Sequence, residues 1–354
     1  MMARSTSPSP ETTPPSVRFV QLGGVAFRVN TRVLSMIGVA LVVLVALGAW
    51  ALTLGSFRLS LQAVIDALTG AHAGDARFIV RDLRLPRVLT ASFVGAALAM
   101  SGAIFQGLVR NPLVSPDIIG VNAGASFAAV FWIVTGQPSP LLPLIAFAGA
   151  VTTTAAIYLL SWRGNIAGPR LILVGIGVNA ILTALTTGLV VRANIYEASR
   201  ALHWTTGSVY AATWGDVRVM VVVLAVLAPV GVWLMWALRV IQVGDTTARS
   251  VGLPLERTRL VLILVGCALS AAAVAVAGPI GFVALMVPHI ARMIAGPMSG
   301  GVFIVTGVLG ALLVLGADMV GQHALPVSVP VGVVTGAVGA PYFLFLLYRA
   351  NTRV

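Results

Sequence analysis

The chain has 354 residues, 58% of them hydrophobic, with a mean hydropathy of +1.01 and a formal charge of +12. So apolar a composition excludes an ordinary soluble domain and implies an all-α, polytopic membrane protein, because a span takes about 20 apolar residues and every backbone polar group must be satisfied internally. All 22 basic residues are arginine, which excludes a P-loop nucleotide site and a Schiff-base lysine, while the positive charge fits membrane topology and lipid headgroups better than nucleic acid.

Residues 1–32 read as a disordered N-terminal tail, cytoplasmic by the arginine count below. Its first part, MMARSTSPSPETTPPS, is too rich in Pro, Ser and Thr to form a core. The first apolar run follows Arg32 without a small-residue cleavage site, so it reads as a retained helix. The apolar region that follows, 33–354, holds about ten spans. They are placed near 33–55, 88–108, 117–135, 141–161, 170–191, 219–238, 259–277, 281–295, 302–320 and 331–348. An even number puts both termini on one side. Fourteen of the 22 arginines fall there, making the termini cytoplasmic by the positive-inside rule.

The outer loop, 56–87, runs against that bias. It holds Arg58, Arg77, Arg81, Arg84 and Arg87, three of them in RDLRLPR, only partly offset by Asp66, Asp75 and Asp82. Long loops cross regardless of charge, but such a cluster also suits an acidic partner. Further on, GAALAMSG with Gly95 and Gly102, and GVNAG with Gly120 and Gly124, have the small-residue spacing of closely packed membrane helices. RNPLVSPDIIG (110–120) carries two prolines and reads as a tight turn back into the membrane.

Polar groups inside the spans are few. Asn179 in the fifth reads as interhelical glue rather than a substrate contact, and Asp318 in the ninth as a helix-end residue bonded to a neighbour. Cys267 is the single cysteine and reads as structural. His72, His203, His289 and His323 are scattered without metal-ligand spacing, so no metal is expected. No Ser-His-Asp arrangement or H-E-x-x-H motif appears, and nothing argues for an enzyme. The cytoplasmic segment 239–258 includes GDTTARSVGLP. Here Asp245, Thr246 or Thr247 can cap a short helix, Gly252 can end it, and Pro254 can start a second.

Four stretches together carry a resemblance: RLPRVLTASFVGAALAMSGAIFQGLVRNPLVSPDIIGVNAGA (84–125), GDTTARSVGLP, GPIGFVALMVPHIAR (278–292) and LPVSVPVGVVTGAVGAPYFLFLL (325–347). The chain resembles the FecCD/BtuC-type permeases, the ten-helix membrane subunits of type II ABC importers. Residues 202–216, 243–259 and Gln322 are most similar to the ferric-enterobactin branch.

The resemblance implies a bacterial inner-membrane subunit that pairs with a second permease, a heterodimer being favoured. It implies two ATPase subunits that hold ATP and Mg, since no cofactor is bound by this chain, and a substrate-binding protein. It places binding-protein docking on Arg84 and Arg87 with Arg81 assisting, and ATPase coupling on Asp245, Ala248, Gly252, Leu253 and Pro254. It makes Asn179, Thr183, Thr186 and Thr335 pathway-lining candidates. Gln322 stands where cobalamin-type members have a further docking arginine. The expected cargo is a ferric siderophore, catecholate favoured. The alternatives are haem, cobalamin or another siderophore on the same machine, and an ion-gradient-driven secondary transporter.

Overall fold

The computed structural model describes residues 17–22, 25–70, 74–162 and 168–351. The proline-rich stretch 1–16, His72 and Arg163 lie outside the described residues. Where a structureless tail was expected, Val17–Leu22 (β1) and Val25–Asn30 (β2) pair antiparallel, in register from Val17 opposite Asn30 to Leu22 opposite Val25. Both runs are rich in Val and Phe and flank Gly23-Gly24 in the sequence, a hairpin signal. Asn30 then caps the first helix, its Oδ1 accepting from the amides of Arg32 and Val33.

The helices are α1 (Thr31–Thr53), α2 (Leu61–Thr69), α3 (Asp75–Phe78), α4 (Leu85–Val109), α5 (Val121–Val134), α6 (Leu142–Ser161), α7 (Gly168–Arg192), α8 (Ile195–Thr205), α9 (Trp214–Val243), α10 (Asp245–Ser250), α11 (Leu255–Ala277), α12 (Val283–Ala295), α13 (Gly300–His323) and α14 (Val331–Asn351). Among the described residues, 7 helical stretches are long and apolar enough to cross a membrane, and three shorter apolar helices, α5, α12 and much of α14, bring the number to the ten expected.

Of the boundaries that differ from the sequence reading, three bear on the site. The second span is longer than expected, because α3 and α4 are joined through a π-helical segment, Ile79–Arg84, into one 35-residue helix from Asp75. RDLRLPR is therefore helical, and the outer loop 56–87 is largely helix. Pro86 lacks an amide to donate back along the helix, and a π segment just before it accommodates that gap. The third span begins later, at Val121, after a 3₁₀ turn over Pro116–Ile119. Finally, Pro254 does not open a second short helix; the seventh span itself starts at Leu255.

The centre of the bundle is α4, buried along most of its length between α13, α11, α9 and α12. Close approach depends on missing side chains. A Cβ at Gly95 would lie 2.2 Å from the Gly310 carbonyl oxygen of α13, and one at Gly102 would lie 1.9 Å from that of Ala284 on α12. A Cβ at Gly124 of α5 would likewise lie 2.4 Å from the Gly149 oxygen of α6. Lipid offers helices no hydrophobic reason to associate, so such backbone contact supplies the dispersion that replaces it. Cys267 is buried in this core. By contrast, α1 and α7 leave most of their apolar surface uncovered, with Leu34, Val42, Leu173 and Ile181 all strongly exposed.

Candidate functional site

At the end of the bundle away from the termini, the arginines of RDLRLPR each reach the last turns of a different helix. Arg81 Nη2 donates to the Leu68 carbonyl near the end of α2, at 3.3 Å. Arg84 donates to the Leu52 carbonyl near the end of α1, at 2.7 Å, and to the Phe57 carbonyl, at 2.5 Å. Gly55 makes room for it, since a Cβ there would lie 2.6 Å from Arg84 Nη2. Arg87 grips Asp318 of α13 with Nε and Nη2, both at 2.9 Å. Gln322 Nε2 donates to the same carboxylate at 2.6 Å, and the Tyr210 ring lies 4.8 Å from the guanidinium carbon. Cations at the carbonyl ends of helices satisfy orphan acceptors and oppose the helix dipole.

A small apolar cluster of Leu52, Val64, Ala67 and Val80 holds this platform together. The docking candidates are thus engaged internally, Arg87 most of all, with 13% of its side chain exposed against 6% for Asp318. Arg58 and Arg77 of the same segment are exposed. Asp318 has the interhelical bond expected of it, and Gln322 serves that bond.

The opposite end carries α10. Its side-chain cap is absent: Gly244 holds the N-cap position and the Asp245 carboxylate turns to arginines instead. Arg259 Nη2 of α11 donates to Oδ1 at 2.9 Å and to Oδ2 at 2.8 Å, and Arg110 Nη2 donates to Oδ1 at 2.7 Å. Burial pushes the Asp245 carboxyl up, but the hydrogen bonds and charge of Arg259, then of Arg110, outweigh it and hold the carboxyl below its ordinary value.

The helix ends in a Schellman turn: Gly252 N–H donates to the Arg249 carbonyl and Leu253 N–H to that of Ala248, both at 3.0 Å. Gly252 has φ 77° there, the left-handed region glycine enters without a Cβ penalty. Ala248 is buried beneath the turn and Pro254 leads directly into α11. The five coupling candidates therefore form one compact feature.

Between these ends lies a cavity of about 470 Å³ bordered by α5, α7, α8 and the 3₁₀ turn. Asn179, Thr183 and Thr186 line it, as do Asp117, Asn122 and Ser126. Asn179 also serves as glue, its Nδ2 donating to the carbonyls of Asp117 at 2.9 Å and Ile118 at 3.1 Å. Since Asn179 falls near the middle of α7, segment 110–120 reaches the mid-length of a spanning helix rather than staying at the surface. Thr335 does not join this group; it is buried on α14, its hydroxyl donating to the Gly332 carbonyl at 3.1 Å.

Sequence reasoning passed over Asp117, although an acid beside Pro116 in a segment turning into the membrane is itself a signal. It also passed over Gln106, which takes a hydrogen bond from Arg292 at 2.6 Å and donates to the carbonyls of Leu285 at 2.9 Å and Ala284 at 3.3 Å, the second left without a helical donor by Pro288. No sequence signal joins those two helices. Among the described residues, no group of three or more His, Cys, Asp or Glu side chains is placed to hold a metal ion.

Residues 26–349 match the FecCD transport family. The chain belongs to that family. It is 41% identical over 259 residues to the ferric enterobactin transport system permease protein FepG of Escherichia coli (strain K12), covering 73% of this chain and 78% of that protein. It is 39% identical over 277 residues to the achromobactin transport system permease protein CbrC of Dickeya dadantii (strain 3937), covering 77% and 79%. Its fold is similar to a solved structure described as an inward-facing conformation of a metal-chelate type ABC transporter. That likeness has a TM-score of 0.80 and 28% identity, over 89% of this chain and 99% of the other. As a family member the chain is a membrane-spanning ABC importer permease, and the bundle, the polar cavity and the arginine-held platform are parts of that permease.

Proposed function

We propose that this permease moves a ferric siderophore, catecholate in type, across the bacterial cytoplasmic membrane as one half of a permease heterodimer. The observation that carries the reading is family membership over nearly the whole chain, with relatives named as permeases for ferric enterobactin and achromobactin. The arginine bias supports cytoplasmic termini, and the uncovered apolar face of α7 supports a second permease beside it.

Asn179, Thr183 and Thr186 would then line the pathway from α7. Two ATPase subunits, which bind ATP and Mg, would engage the α10 turn at Asp245, Ala248, Gly252, Leu253 and Pro254. The binding protein would dock on the outer platform. In this reading Arg81, Arg84 and Arg87 shape that platform by tying helix ends, while exposed Arg58 and Arg77 present charge to an acidic rim. Reversing Arg58 and Arg77 to Glu should weaken capture of the loaded binding protein in a salt-dependent way. Affinity within about twofold of the parent, worth roughly 0.4 kcal/mol, would remove those two from the docking surface.

The test of function is uptake into vesicles holding the permease, its partners and ATP, with no ion gradient. Transport of a ferric tris-catecholate is expected. Transport that needs a gradient and ignores ATP would mean a secondary carrier, and ATP-driven transport of haem or cobalamin alone would mean the same machine with another cargo.

A further inference from the structure

Arg110 sits where α4 ends, with φ 58° and ψ 32°, in the left-handed region. Among the described residues only Phe282 shares that region without being glycine. Helices that end this way ordinarily use glycine or asparagine, since a Cβ is disfavoured there. An arginine at such a point implies that its side chain has a task the backbone alone could leave to glycine.

The side chain reaches α9 and α10. Nη2 donates to the Ile241 carbonyl and to Asp245 Oδ1. Arg259, buried on α11, holds the same carboxylate from the other side. The Asp245 carboxylate thus joins the core of the bundle to the start of segment 110–120.

The far end of that segment is pinned too. Ser115 Oγ donates to Asp117 Oδ2 at 3.3 Å, and Asn179 holds the Asp117 and Ile118 carbonyls. Gly175 lets α7 lie against the turn, for a Cβ there would be 2.1 Å from the Ile118 oxygen. Between the pins, Pro112 and Pro116 fix two backbone angles, and Asn111 Oδ1 accepts from the Leu113 amide at 2.9 Å. A short stiff piece fastened at both ends passes on a displacement instead of absorbing it.

The two ion pairs that α4 makes at its opposite ends differ in kind. Arg87–Asp318 is buried, whereas the Arg110 and Asp245 side chains are 42% and 45% exposed. The Arg110–Asp245 contact, open to water, adjusts at little cost as α10 shifts, whereas the buried Arg87–Asp318 pair holds the other end of α4 fixed.

We propose that Arg110 is a positioning residue that carries movement of α10 into segment 111–120 and, through Asn179, into the α7 wall of the cavity. This rests on reading α10 as the surface an ATPase subunit engages. The experiment uses the complete importer in vesicles, with ferric tris-catecholate as cargo and cargo moved per ATP as the readout. Arg110→Gly relieves the backbone, so its thermal midpoint should not fall below the parent's. ATP hydrolysis should persist while cargo per ATP drops by about tenfold, within the range of linked sites.

Arg110→Lys, which can still reach Asp245, should recover most of that loss, and Arg110→Met should not. Cargo per ATP within about twofold of the parent in Arg110→Gly, loss of the ATPase from the complex, or equal defects in the Lys and Met variants would overturn the proposal. Gly252→Asp separates the two readings. If it leaves cargo per ATP unchanged, α10 is not the engaged surface; if it uncouples while Arg110→Gly does not, only the role of Arg110 falls.

Discussion

Asp318 accepts from Arg87 and Gln322 where almost no water reaches, so neutralising it leaves a guanidinium buried without its counter-charge. Asp318→Asn should cost about 3 kcal/mol, the low end for breaking a buried pair, measurable as thermal unfolding in detergent. Replacing both members with apolar residues, Arg87→Met with Asp318→Leu, should lose much less. At the other end Asp245 makes a pH-dependent contribution. Its folded carboxyl titrates below the ordinary 3.8, so the unfolded chain binds the proton more readily and stability rises with pH. The contribution is fully present above the ordinary carboxylate value and is lost as pH falls through the lower folded one. Protection of the 245–253 amides, taken relative to their intrinsic exchange rates, should fall over that acid range, and Asp245→Asn should abolish that fall. If the parent and Asp245→Asn exchange alike at every pH, the arginines do not hold the carboxylate.

At the scale of the elements, the GAALAMSG spacing in the sequence is enough to predict close packing, and α4 meets α13 and α12 backbone to backbone at Gly95 and Gly102. Gly102→Val should cost about 3 kcal/mol, the upper range for overpacking, because the Ala284 carbonyl belongs to a backbone that cannot swing aside. Unchanged unfolding of that variant would mean α4 and α12 separate easily. The hydropathy pattern placed all ten spans within several residues of the observed cores, since each must satisfy its backbone along one apolar run. It missed the outward extension of α4 to Asp75, because 75–87 has the composition of a loop. That stretch is helical because its charged groups find partners on other helices: Arg81 on α2, Arg84 on α1, Arg87 on α13. The hairpin at 17–30 was hidden for a related reason, being read with the proline-rich residues before it.

The whole molecule leaves the apolar faces of α1 and α7 uncovered, and hydropathy cannot say which meets lipid and which a partner chain. The polar cavity alongside α7 argues for the partner there. Leu173→Cys, in a background where Cys267 is replaced by Ser, should cross-link to a neighbouring permease chain within the assembled complex. A matching cysteine at Val42 of α1 should not, and the reverse result would put the partner on α1.

What the amino-acid sequence determined alone is the number of spans, the small-residue seams and the glycine that ends α10. Each depends on composition or spacing within a few adjacent residues. Only the tertiary structure decided where the arginines point, that Asp245 is shared between Arg110 and Arg259, that segment 110–120 meets the middle of α7, and that Asn179 borders a cavity while Thr335 does not. Those contacts join residues tens to hundreds of positions apart, and a guanidinium with several acceptors in reach takes the one that helix packing brings to it.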